Sequence, residues 1–236
     1  VSREPQPPSE GTYVIRSGIR VDVGIRVRTY QETGYAFPSR TRRSLTRMVI
    51  AHATAAENPP KEVHRNMLQH LSEQGRPQPL SVHFVIDQKG TIFQMMDTDA
   101  RGAHCAGAYE SFSPNAVSIG IEVIGRLTDW RKVPDKGVVR PRVIERIHGV
   151  DLVVDEMLRP QCEATANLCE ALCRIYALPL RVPEDAQGEP LLAQLSEADA
   201  AKWSGCCGHL HMSGAKPDPG GLVLRAIQER GRPRRA

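Results

Sequence analysis

The stretch RMVIAHATA, residues 47–55, reads as a buried strand that runs through Met48, Val49, Ile50 and Ala51 and ends at His52. Apolar residues at successive positions leave no face for water, so such a strand belongs inside a sheet covered on both sides. A second run, VSIGIEVIG at residues 117–125, is apolar on both faces except at Glu122. Between the two, residues 60–74 carry Val63, Met67, Leu68 and Leu71 at helical spacing, and GRPQP stops that helix. SVHFVID, QKG and TIFQMM, residues 81–96, read as a hairpin. Downstream, QCEATANLCEALCRIYALP places Ala164, Leu168, Ala171, Leu172 and Ile175 on one helical face. SEADAAKWSG predicts a short helix capped by Ser196, and GLVLRAIQER a closing helix. Some neighbouring strands are joined by tight turns and others by helices. The expected fold is therefore α/β, a mixed central β-sheet flanked by helices.

The flanks are less regular. Residues 1–11 are Pro-rich and polar, and are expected to be poorly ordered. IRVDVGIRV, residues 19–27, puts Ile19, Val21, Val23, Ile25 and Val27 on one face, as a half-buried strand or a hairpin broken at Gly24. Residues 31–47 read as loop. Residues 126–159 are basic and then apolar, and read as an insertion with helix or strand of its own. The expected organisation is an N-terminal extension over 1–45, partly flexible, one domain over 46–229 and a basic tail over 230–236. No internal repeat is present.

Composition excludes several classes. Charged residues make up 25% and the apolar set 40%, as in ordinary globular proteins. No run reaches the roughly 18 apolar residues of a membrane span, and no apolar N-terminal region resembles a signal peptide. The net charge of +4 comes from PSRTRRSLTR and the tail RGRPRRA. With aromatics at only 5%, a base-stacking surface is not expected, and nucleic acid is not an expected partner. The six cysteines form no CxxC pair, which argues against a zinc knuckle and for buried free thiols, or one disulfide in an exported protein.

Four polar residues stand where strands end or where a charge is out of place. His52 closes an apolar strand and needs a partner there. Glu122 interrupts a strand otherwise free of charge, so it needs a cation, a metal or a catalytic role; a structural ion pair is the plain alternative. GHLHMSGAKPDPGG, residues 208–221, adds His209 and Asp218. Two imidazoles and a carboxylate with an open fourth position form the pattern of a catalytic zinc site. His211 and Cys207 are alternative ligands close in sequence. Lys216, two residues before Asp218, is suited to stabilise an oxyanion.

In this order, MVIAHATA, LSVHFVIDQKGTI, GAHCAG, NAVSIGIEVIG and GHLHMSGAKPDPG resemble the zinc-dependent N-acetylmuramoyl-L-alanine amidases and the related peptidoglycan recognition proteins, over about residues 46–227. The resemblance implies one zinc ion per chain on His52, His209 and Asp218, with Glu122 as general base or proton shuttle and Lys216 at the oxyanion. It implies hydrolysis of the amide between N-acetylmuramic acid and L-alanine in peptidoglycan or muropeptides. His83, His104 and Asn115 are expected to line the cleft or bind substrate. The chain departs from the family where A-W-H-A-G becomes AHCAG, and where GHLH leaves His211 as a possible ligand in place of His209. A monomer is expected. The Pro-rich lead favours the cell envelope, periplasmic or secreted, over cytoplasmic muropeptide recycling. The rival readings are a recognition module without hydrolysis, and a zinc amidohydrolase or peptidase for another amide.

Overall fold

The computed structural model describes residues 11–38, 41, 44–71, 75, 78–105, 109–128 and 138–233. Its centre is a six-stranded sheet. β4 (Met48–Ala53) lies between β10 (Gly205–Gly208) and β7 (Ser118–Val123), both parallel to it. β5 (Phe84–Ile86) continues the sheet parallel to β7, β6 (Ile92–Gln94) returns antiparallel to β5, and β3 (Val27–Arg28) closes the edge beside β6. The mixed sheet and the 84–94 hairpin follow the sequence pattern.

Period-two alternation divides the sheet into two faces. Val49 and Ala51 of β4, Ile119, Ile121 and Val123 of β7, and Phe84 and Ile86 of β5 point into one core. There they meet Leu168, Cys169 and Leu172 of α4 (Arg159–Tyr176) and Val223, Leu224 and Ile227 of α7 (Gly221–Gly231). On the opposite face Val85, Phe93 and Met95 pack on Val63 of α2 (Pro60–Leu68). Met48, Ile50 and Cys207 on that side pack near Ala200 of α5 (Glu197–Lys202). Ser196 caps α5 as expected, its Oγ accepting the Asp199 amide at 3.1 Å. No helix among the described residues is long and apolar enough to cross a membrane.

Three expectations change. First, α2 ends at Leu68 and leaves Leu71 more than half exposed. The returning chain supplies the reason: the Leu80 amide donates to the Met67 carbonyl, and the Gln78 amide to that of His70. Second, Ile19 to Val27 breaks at Gly24, as the hairpin reading expects, but its two halves pair elsewhere and not with each other. β1 (Tyr13–Arg16) pairs with β2 (Ile19–Asp22), whose Ile19 is 64% exposed, and the chain turns at Gly24. Third, the first 45 residues are not a mere appendage. β3 belongs to the central sheet, Val14, Val23 and Val27 enter its core, and α1 (Tyr30–Thr33) follows, so 31–47 is not all loop. The insertion carries strand of its own, as expected: a hairpin of β8 (Arg142–Ile147) with β9 (Val150–Asp155). The expected disorder of residues 1–10, the basic positions 39–40, 42–43 and 234–236, and insertion residues 129–137 lie outside the described residues.

Candidate metal centre

Strand pairing builds the site. In the β4–β7 register His52 lies directly opposite Glu122, and Gly208 lies beside Ala51 in β10–β4. His52, Glu122 and His209, the first residue of α6 (His209–Met212), therefore gather at the carboxyl ends of three parallel strands. Open sheets present ligand sites at that end. The 216–218 loop folds over it, held where the Leu210 amide donates to the Asp218 carbonyl at 2.9 Å.

His52, His209 and Asp218 each offer one ligand atom, and these atoms lie within 4.8 Å of one another. Asp218 Oδ2 is 3.2 Å from His209 Nδ1 and 3.7 Å from His52 Nδ1, and it accepts the Ala53 amide at 3.2 Å. All three residues are buried. Nε2 of His209 has no hydrogen-bond partner, an exception to the rule that buried polar atoms are satisfied. Burial, then the neighbouring His209, His104 and Lys216, hold His52 well below the usual imidazole range, so it stays neutral as a ligand must.

A chain of hydrogen bonds fixes the tautomer of His52. Ser118 Oγ donates to the Pro114 carbonyl at 2.7 Å, so it accepts from His104 Nε2 at 3.3 Å. Nδ1 of His104 then carries a lone pair and accepts from His52 Nε2 at 2.9 Å. That leaves the His52 lone pair on Nδ1, the nitrogen beside Asp218. His104 sits in a slot made by two glycines: a Cβ on Gly120 would lie 2.5 Å from its ring, and one on Gly102 2.8 Å. Asn115 Oδ1 accepts the amides of His104 and Cys105, at 3.0 and 2.9 Å, which holds this loop against the sheet.

Glu122 is buried and its Oε2 has no partner. Burial, then the charge of Asp218, push its pKa up to about 8, while Lys216 pulls the other way. Among the described residues no ion pair matches this carboxyl, so a structural salt bridge does not account for it. Such a group can hold a proton beside a bound cation and release it there.

The site floors a cavity of about 520 Å³. His104, Asn115, Lys216 and Asp218 line it, with Asn66, Met67 and His70 forming the α2 side. Asn66, His70 and Gln78 carry no motif in the sequence; they reach the cleft because α2 stops early and the 78–80 segment doubles back. Two expected residues stand elsewhere. His83 is fully buried beneath the sheet face, with Nδ1 accepting the Gly120 amide and Nε2 donating to the Ala100 carbonyl. His211 is also fully buried, with Nδ1 accepting the Gly208 amide at 2.8 Å and Nε2 donating to the Leu191 carbonyl at 2.7 Å. Both nitrogens of His211 are thus committed to backbone, and it stands outside the ligand group. Cys207 packs into the core beside Met48 and Ile50, also outside that group. All six cysteines are free and buried.

The family model described as N-acetylmuramoyl-L-alanine amidase matches residues 41–221, more than half of the chain. No curated protein sequence matches. Among solved structures, the amidase LysC from Clostridium intestinale is 15% identical with a TM-score of 0.49, over 86% of this chain and 95% of that one. A selenomethionine derivative of AmpD is 18% identical with a TM-score of 0.49, over 86% and 94%. Drosophila PGRP-LB is 18% identical with a TM-score of 0.46, over 86% and 92%. At such identities the assignment rests on the family match, which spans every residue of the site: the chain belongs to the N-acetylmuramoyl-L-alanine amidase family.

Proposed function

We propose that this chain is a zinc hydrolase that cleaves the amide between the lactyl group of N-acetylmuramic acid and L-alanine in peptidoglycan or muropeptides. The observation that carries the reading is the buried His52–His209–Asp218 group, with the unpartnered His209 Nε2, beside the unpartnered carboxylate of Glu122 at the floor of a cleft. Two neutral imidazoles and one carboxylate suit zinc and leave room for water and substrate. When bound there, zinc lowers the pKa of water toward roughly 7 and polarises the scissile carbonyl.

The protein groups do the rest. His52 presents Nδ1 because His104 and Ser118 hold its other nitrogen protonated. Lys216 favours the ionised form of Glu122, which would accept the proton of the attacking water. Glu122 passes that proton to the leaving amine. Lys216, on the cleft wall, stabilises the negative charge that develops on the carbonyl oxygen. The buried floor limits competing water.

The test is metal analysis of the purified protein, followed by mass analysis of products from muropeptides and from whole sacculi. The reading expects one zinc per chain and stem peptides with a free L-alanine amine, abolished by a chelator and restored by zinc. Binding to sacculi with no released stem would instead mark a recognition module. Cleavage of sacculi would support the envelope as the working compartment; cleavage of soluble muropeptides alone would support recycling.

A further inference from the structure

The 142–155 hairpin lies outside the motifs that carry the family resemblance, yet it touches the loop that bears Lys216 and Asp218 at both ends. Its two-residue turn, His148–Gly149, has positive φ at both positions, 51° and 77°, as a tight primed turn requires. This turn aims His148 at the loop: Nε2 donates to the Lys216 carbonyl at 2.9 Å. The His148 amide donates to the Leu192 carbonyl, next to the Leu191 carbonyl that receives His211.

The second grip is Glu145. Its buried carboxylate accepts the Gly221 amide at 2.9 and 3.2 Å. Gly221 opens the 11-residue helix α7, so the carboxylate also meets the positive end of the helix. The approach is so close that a Cβ on Gly221 would lie 2.6 Å from Glu145 Oε1. The hairpin itself is rooted in the core. Ile147 and Val154 are buried there, and just before β8 Arg140 makes a bidentate buried ion pair with Glu57, at 2.6 and 3.0 Å, and bonds Gln161 of α4.

We infer that this hairpin is a clamp that fixes the 216–221 segment, with His148 and Glu145 as positioning residues for Lys216 and Asp218. Neither touches the candidate metal group; each sets the backbone that carries it. The inference rests on the proposed metal reading for its consequence, but the clamp itself is a property of the metal-free chain.

Two variants test it. His148→Gly removes the donor while placing the residue that best tolerates a φ of 51° in the turn, so the hairpin keeps its shape. Glu145→Gln keeps an acceptor for the Gly221 amide and should retain most of the grip, whereas Glu145→Ala should lose it. In metal-free protein, amide hydrogen exchange over 213–221 should quicken by about tenfold in His148→Gly and Glu145→Ala, with the 48–53 strand unchanged. Competition against a chromophoric chelator should show zinc bound about 10- to 100-fold more weakly, with kcat reduced and KM nearly constant. Unchanged exchange over 213–221 in both variants would overturn the clamp. Faster exchange with wild-type zinc affinity would overturn its role in positioning Asp218. A wild-type chain that binds no zinc would defeat the proposed function, while the exchange experiment would still decide the clamp.

Discussion

The two faces of the central sheet are made by the same strands and differ in kind. On β7, Ile119, Ile121 and Val123 enter the core under α4 and α7, while Ser118, Gly120 and Glu122 face the site. The first face is apolar and its residues are interchangeable in kind, provided volume is kept. Among the β7 residues on the second, none can stand in for another. Ser118 accepts from His104, Gly120 makes room for its ring, and Glu122 holds an unpartnered carboxylate. Stability is drawn mainly from one side of the strand, and chemistry is placed on the other.

Substitutions at neighbouring positions probe this difference. The largest effect is expected from Glu122→Gln. It should lower turnover on muropeptides by about 10²–10⁴-fold, with zinc content and thermal melting unchanged or improved, because a buried carboxylate is removed. A fully active variant would return Glu122 to the structural class. One residue earlier, Ile121→Ala should do the reverse: unfolding in denaturant should show a loss of about 2–5 kcal/mol, with zinc stoichiometry intact in the folded protein. His104→Ala separates the faces further. It should weaken zinc by about 10- to 100-fold in a chelator competition, while the global melting transition shifts little. Smallest is His211→Ala, which leaves the Gly208 amide and Leu191 carbonyl unpaired. A loss of about 1–3 kcal/mol in stability is expected, with no change in zinc content.

The sheet core and much of the site are legible because strand ends are marked in sequence. His52 ends an apolar run and Glu122 breaks one, and both signals are local. What stays hidden depends on distance in space. His83 is expected at the cleft on the resemblance, but its ring is taken by the Gly120 amide and the Ala100 carbonyl. The 205–208 strand is silent because Gly-Cys-Cys-Gly lacks the β-branched residues that announce a strand; it forms because β4 offers it a parallel edge. β1 is easily overlooked although YVIR followed by Ser-Gly is a hairpin signal. Residues 142–155 give no sign of their role, since a clamp on a backbone carbonyl and an amide has no motif.

The loop that carries Asp218 lies nine residues beyond His209, and sequence alone leaves two histidines competing to join it. Hydrogen bonding separates them, since both nitrogens of His211 are held by backbone and Nε2 of His209 is held by nothing. The most direct measurement is the zinc content of folded wild-type protein, His209→Ala and His211→Ala after exhaustive loading and dialysis. One zinc per chain is predicted in the wild type and in His211→Ala, and none in His209→Ala. Zinc retained by His209→Ala, or lost from a folded His211→Ala, would contradict the proposed metal centre.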